Sequence, residues 1–327
     1  MFVGGAAAWL AGCGARLRGF PFDRGSSPIP GLKNLEVTYY SVGCFLVQLG
    51  DVALLTDPFW SHVPLSEVIF SPMKHDLEEI NAHRKDLKNV SMVVVGHGHY
   101  DHCFDLDQIC DDLHPKATIY GSQTLVHTFA SSALSRPLVA VNDARATPDR
   151  PGHWFYNHDR SLRFLPIASG HPNQYLFLHL YQERLQRARQ GPPSRASDYQ
   201  EGETIAFLVD FMKGDAIEAR VYVQTSSTGY PAGFAPPEIF AERRVDVALL
   251  PMDCANLKMA GASPNIVDTL APKTVLFCHW EDFFAPKSGV PREIVKVDLP
   301  AAKAFFRSTP QTRYLFPYWN SRFLMPV

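Results

Sequence analysis

The chain has 327 residues, 46% of them hydrophobic and 20% charged, with a formal net charge of −2. A chain of this size buries roughly three quarters of its unfolded surface, which excludes disordered and low-complexity architectures and predicts a large core. The balanced charge excludes the basic excess of a dedicated nucleic-acid binder, and no apolar run reaches the ~20 residues that span a bilayer.

Residues 2–12 are small and apolar, and end in Leu10-Ala11-Gly12-Cys13. This run resembles a bacterial lipobox, in which the cysteine is lipidated and begins the mature chain, although no Lys or Arg precedes Cys13. One expectation is a lipoprotein of the bacterial cell envelope, meeting the membrane only through its lipid anchor. The other is a small-residue segment on a cytoplasmic protein. Residues 1–33 are expected to be a signal-like segment and tether, with the Pro/Gly/Ser-rich stretch 20–33 as the tether, and residues 34–327 a single domain. Cys44, Cys103, Cys110, Cys254 and Cys278 show neither zinc-finger spacing nor a disulfide framework.

Strand-like runs follow at 35–40, 44–49 and 52–56, and Leu49-Gly50-Asp51 predicts a hairpin between the last two. The β-branched run 91–95 (SMVVV) predicts a strand buried on both faces. Phe104, Leu106, Ile109, Cys110 and Leu113 predict a helix, with Asp105 and Asp107 in its first turn, where the helix dipole favours acids. Further strands are predicted at 117–120, 161–167, 203–210, 219–224, 245–250 and 273–278. Residues 178–190 predict an amphipathic helix, and 191–202 a polar loop. No internal repeat is visible. Many short strands with a few helices predict sheets packed face to face with helices outside.

Chemistry concentrates directly after the SMVVV strand, in Gly96-His97-Gly98-His99-Tyr100-Asp101-His102. Three imidazoles and a carboxylate within six residues suit a borderline-soft divalent ion, zinc above all. A loop leaving a buried strand can turn His97 and His99 to one side and Asp101 and His102 to another, feeding two adjacent ions. No nucleophile-elbow sequence accompanies a Ser-His-Asp set.

From residue 35 to about 284 the chain resembles the metallo-β-lactamase fold superfamily. The motif His97, His99, Asp101, His102 carries the likeness, with Thr56-Asp57-Pro58-Phe59 before it and Ser169-Gly170-His171-Pro172 and Phe277-Cys278-His279-Trp280 after it. The wording around these motifs is closest to the branch of ascorbate-6-phosphate lactonase and N-acyl-phosphatidylethanolamine phospholipase D. The resemblance implies an α+β fold, an αββα sandwich of two mixed sheets with flanking helices and metals at one edge. It implies His97, His99 and His171 for one ion, Asp101, His102 and His279 for the other, and Asp57 as a residue that orients ligands. The family's bridging Asp is replaced by Ser227 in Thr225-Ser226-Ser227-Thr228-Gly229-Tyr230. An alcohol is a poor zinc ligand, so Ser227 is expected beside the ions but not on them. A subclass of metallo-β-lactamases that also lacks this Asp still holds two metals. Asp253, at the end of another strand, is a candidate supporting residue or substitute ligand. Tyr100, Trp60 and Trp280 are candidates to meet substrate.

These readings predict a hydrolase carrying one or two zinc ions. Hydroxide drawn from water at the ions attacks a small ester, lactone or phosphodiester, lipid-like ones included, with Asp101 and His102 as the catalytic residues and Asp101 accepting the proton. The alternative is a non-catalytic or altered-metal member of the fold that lost its bridging aspartate. Residues 173–202 are expected to border the site, with Arg184, Arg187 and Arg189 offered to an anion or a membrane surface.

Overall fold

The computed structural model describes residues 22–27, 33–173, 179–252, 264–288, 291–293 and 306–327. Cys13, Asp253 and Cys254 lie outside the described residues.

Gly50 sits at φ +63, in the left-handed region that a side chain disfavours, and turns strand β2 (Cys44–Leu49) into β3 (Val52–Thr56). β1 (Asn34–Ser41), β2 and β3 form an antiparallel meander, and β4 (Val90–Val94), β5 (Thr118–Gly121) and β6 (Leu138–Ala140) continue it as parallel strands. The second sheet repeats this plan. β7 (Phe155–Tyr156), β8 (Leu162–Ala168), β9 (Ile205–Lys213) and β10 (Ala216–Val223) pair antiparallel, and β11 (Val247–Pro251), β12 (Thr274–Cys278) and β13 (Arg313–Leu315) add in parallel. The chain returns with β14 (Ser321–Pro326) to close the first sheet against β1. Two mixed sheets of seven strands result, and the α+β sandwich is as expected. The shared plan leaves no sequence repeat because it lies in pairing direction, which many sequences satisfy.

Alternation along the strands makes the layers. Val37, Tyr39, Val47, Leu54, Met92 and Val94 face the second sheet, while Leu46, Leu55, Val93 and Val95 face a separate apolar layer that includes Phe104, Leu106 and Ile109. Each such buried side chain contributes about 1.5–3 kcal/mol relative to exposure. Strand β4 is buried throughout and β3 at all but its first residue, so both read as mainly apolar runs broken only by Ser91 and Thr56.

Strands β6, β7, β13 and β14 are not anticipated by the sequence reading, and three expected segments take another form. The helix expected around 104–113 breaks into Tyr100–Cys103, Leu106–Ile109 and a 3-10 turn at Cys110–Asp112. Asp105 causes the break: its buried carboxylate accepts from Trp60 N (2.6 Å), Ser61 N (2.8 Å), Ser61 Oγ (2.7 Å) and His75 Nδ1 (2.9 Å), so it latches the neighbouring loop instead of answering a dipole. Residues 179–190 form no helix. Their backbone bonds run outward: Tyr181 O and Glu183 O accept from Glu201 N (2.7 Å) and Gly202 N (3.1 Å), and Arg189 N donates to His127 O (2.9 Å). Tertiary partners override the helical pattern. The described part of the expected tether lies against the body: Phe22 packs on Trp280 at 4.6 Å and Asp23 N donates to Phe316 O at 2.8 Å.

Candidate metal centre

β3, β4, β8, β10 and β12 all finish at one end of the sandwich, and that shared end gathers the candidate residues. Asp57 follows β3, His97–His102 follow β4, His171 follows β8, Thr225–Ser227 follow β10 and His279 follows β12. Three residues here hold non-glycine left-handed backbone: Val42 (φ 46), Asp57 (φ 38) and His279 (φ 56). Such conformations cost about 1–3 kcal/mol each and persist where surroundings over-determine them. Glu281 is one determinant. Its fully buried carboxylate accepts from Tyr39 Oη at 2.5 and 2.6 Å and from Val42 N at 2.6 Å, while His279 N donates to Val42 O at 3.1 Å.

The six expected ligands fall into two triplets. His97, His99 and His171 have donor atoms within 4.8 Å of one another, and so do Asp101, His102 and His279. The rings of His97 and His102 are 4.0 Å apart, so the triplets adjoin.

Hydrogen bonds select which nitrogens remain available. His102 Nδ1 donates to Asp57 Oδ2 at 2.6 Å, which leaves the lone pair on Nε2. His99 Nε2 donates to Tyr181 O at 3.3 Å, leaving Nδ1, which lies 3.0 Å from His97 Nε2. His171 Nδ1 donates to Pro172 O at 2.6 Å, leaving Nε2. Asp57 also accepts from Gly96 N at 2.6 Å, so it braces both the metal loop and His102.

Glycines make room for this bracing. A Cβ on Gly43 would stand 2.4 Å from Asp57 Oδ2, and one on Gly98 would stand 2.2 Å from the backbone oxygen of Gln200. The second glycine of the GHGH run is thus required by segment 200–202 crossing directly over the loop.

Burial, reinforced by the neighbouring imidazoles, pushes His97 well below the usual histidine range. Burial brings His99 down to about 4 and His171 to about 2. These rings are neutral at neutral pH, the form in which imidazole ligates metal. Burial opposes ionisation of Asp101, yet His102, His279 and His99 hold its carboxyl well below the usual range. Its Oδ2 lies 3.6 Å from His102 Nε2 and 3.4 Å from His279 Nε2. His97 Nδ1 and His102 Nε2 are buried without a hydrogen-bond partner, an expensive state that a coordinated ion relieves at His102. The donor set and these orphaned atoms fit divalent metal.

Ser227 is buried, and its Oγ donates to Thr228 O at 2.8 Å. Trp60 and Trp280 are 1% and 2% exposed and pack on Tyr40 and on Phe22 and Trp319, as large apolar rings drawn into the core do. Tyr100 has its ring against Phe59 and Phe283 and its buried hydroxyl is without a partner. Arg184 and Arg189 pair with Glu203 (3.5 Å) and Asp198 (2.9 Å) on the body itself. The sequence reading missed Glu281, an acid two residues beyond His279 among aromatics, and His179 and Glu201, whose donor atoms lie within 4.8 Å of His171. The signal for Glu281 was that an acid in so apolar a run needs a buried partner.

The family model described as Beta-lactamase superfamily domain matches residues 53–280, and the chain belongs to this family. The fold is similar to that of Igni18, a metallo hydrolase from the archaeon Ignicoccus hospitalis (17% identity, TM-score 0.56, covering 90% of this chain and 99% of that one). It is also similar to YhfI, a metallo-beta-lactamase fold protein from Bacillus subtilis (12%, TM-score 0.50, 88% and 98%). A third likeness is to isothiocyanate hydrolase from Delia radicum gut bacteria (12%, TM-score 0.50, 89% and 100%). Identities this low speak for the fold alone. No curated protein is a significant match. Family and ligand set together define a metal-dependent hydrolase of the metallo-β-lactamase fold.

Proposed function

We propose that this hydrolase carries two zinc ions and cleaves a small ester, lactone or phosphodiester. The observation that carries the reading is the pair of adjoining triplets, each with three protein donors, which is the count that leaves a catalytic zinc an open position. A bound divalent ion supplies Lewis acidity and lowers the pKa of water from 15.7 to about 7. The chain's residues do the rest. His97, His99 and His171 hold one ion, and Asp101, His102 and His279 the other. Asp57 fixes the tautomer of His102 and so its ligand atom. Asp101, a buried carboxylate 3.6 Å from His102 Nε2 and 3.4 Å from His279 Nε2, would be both a ligand and the group placed to take a proton from water at the ions. Residues 179–202, bound to the metal loop through Tyr181 O and Glu201 O, form one wall of the site and shape what enters.

The likeness to the lactonase and phospholipase branch supports this substrate range, lipid-like members included, and the near-neutral charge supports a small molecule over nucleic acid. Among the described residues no helix is long and apolar enough to cross a membrane. We assign membrane attachment, in a bacterial envelope, to acylation of Cys13, which mass spectrometry of the membrane fraction checks.

Elemental analysis of the purified chain, run beside a panel of chromogenic esters, lactones and phosphodiesters, tests the reading. The expected result is two ions per chain and turnover of one substrate class, abolished by a chelator and restored by zinc. Bound metal with no turnover on any class supports the non-catalytic alternative.

A further inference from the structure

His171 stands between two groups of donors. On one side lie His97 and His99; on the other lie His179 and Glu201, also within 4.8 Å of it. The His171 and His179 rings stack with centroids 5.3 Å apart, and His179 Nε2 hydrogen-bonds Glu201 Oε2. Thr204 Oγ1 donates to Glu201 Oε1 at 3.1 Å, so the carboxylate is oriented from behind. The backbone of Glu201 is fixed to the metal loop itself, since Gly98 N donates to Glu201 O at 2.9 Å and Glu201 N to Tyr181 O at 2.7 Å. Two imidazoles and one carboxylate are a common zinc donor set.

Exposure grades outward along this line. His97 is fully buried and His99 is 6% exposed, whereas the side chain of His179 is 23% exposed. Because the Nδ1 hydrogen of His171 goes to Pro172 O, its single lone pair, on Nε2, serves one side at a time.

We propose that His171, His179 and Glu201 form an outer cation position that passes divalent ions to the His97–His99–His171 triplet, the two being filled in alternation through the shared Nε2 of His171. The proposal rests on the metal centre described above but not on any particular reaction, and its readout needs no substrate.

The experiment mixes metal-free full-length chain with Co²⁺ and follows the ligand-field absorption in time. Glu201→Gln, which keeps one oxygen for His179 Nε2 and turns an amide N–H towards the Thr204 hydroxyl, is expected to slow uptake about tenfold or more, the scale of electrostatic steering. The final cobalt stoichiometry and equilibrium affinity should match the parent. Glu203→Gln, which removes a nearby carboxylate outside the cluster, should leave the rate unchanged. His179→Gln should reproduce the slow phase if Glu201→Gln does not fold. Uptake at the parent rate in the cluster variants overturns the proposal, leaving His179–Glu201 a structural pair. Equal slowing in Glu203→Gln overturns it in favour of general attraction. A third cobalt bound at saturation overturns the alternation. A chain that binds cobalt as expected but turns over no substrate would count against the hydrolytic reading alone.

Discussion

Strand β10 links two buried polar clusters built on opposite principles. Arg220, fully buried, places all of its guanidinium nitrogens: Nε on Asp210 Oδ1 (2.6 Å), Nη2 on Asp210 Oδ2 (2.9 Å) and Glu242 Oε2 (2.8 Å), and Nη1 on the carbonyls of Ile239 (3.0 Å) and Arg243 (3.2 Å). Arg163 completes the balance of charge, with Nε on Asp210 Oδ2 at 2.8 Å and its guanidinium 4.2 Å over the ring of Trp154. Beyond the end of the same strand, the histidine cluster is fully buried at His97 and His102 but incomplete, with orphaned nitrogens and strained backbone around it. A satisfied cluster holds a fold together. An unsatisfied one, held open by Asp57 and Glu281, is built to receive something the chain does not contain.

The largest expected effect breaks the satisfied cluster. Arg220→Met strands Asp210 with Arg163 alone and should cost about 3–5 kcal/mol, read as a lower denaturant midpoint. A loss under about 1 kcal/mol would mean that the network is not the support described here.

His102→Ala should do the reverse, abolishing binding at its triplet while costing the metal-free chain less stability than Arg220→Met, because it removes a partnerless buried Nε2 and one bond to Asp57, which keeps the bond from Gly96 N. Elemental analysis beside chelator-treated unfolding checks both. In the parent, adding metal at a hundred times its Kd should raise stability by about 2.7 kcal/mol, and the variant should lose that gain.

Asp57→Asn tests the bracing. Metal affinity should fall about 10- to 100-fold, measured by competition with a chromogenic chelator. Gly43→Ala, whose methyl would press on Asp57 Oδ2, should act in the same direction.

The metal-free chain should also lose stability in acid. Burial keeps His62 down to about 3, with Lys287 adding to it, and His99 down to about 4, whereas unfolded histidines titrate near 6.5. From about pH 6.5 down towards 4 the unfolded chain therefore binds more protons, so unfolding free energy falls as pH falls, by up to ~1.4 kcal/mol per group per pH unit. Denaturant midpoints across that range should decline, and bound metal should blunt the decline by excluding protons from His99.

The smallest effect is expected at Ser227→Ala, which removes a hydroxyl directed at Thr228 O and should retain both metals and most activity. Loss of a metal as complete as in Asp101→Ala would place Ser227 among the ligands.

Local pattern alone determined much of this protein. The hairpin at Gly50, the doubly buried strand β4 and the cluster His97, His99, Asp101 and His102 could be read because turn chemistry, an apolar β-branched run and the H-x-H-x-D-H spacing each act within a few residues, whereas His171 and His279 were legible only through the family resemblance. Tertiary structure decided what depends on distant partners. Asp105 broke a helix that its neighbours favoured, because two backbone amides and Ser61 needed its carboxylate. Residues 179–190 gave up their helical pattern for bonds to residues 127, 201 and 202. Trp60 and Trp280 went to the core, and His179 and Glu201, far from the motif in sequence, came to its rim. Those outcomes turn on which buried polar group finds which partner, and only the folded chain brings such partners together.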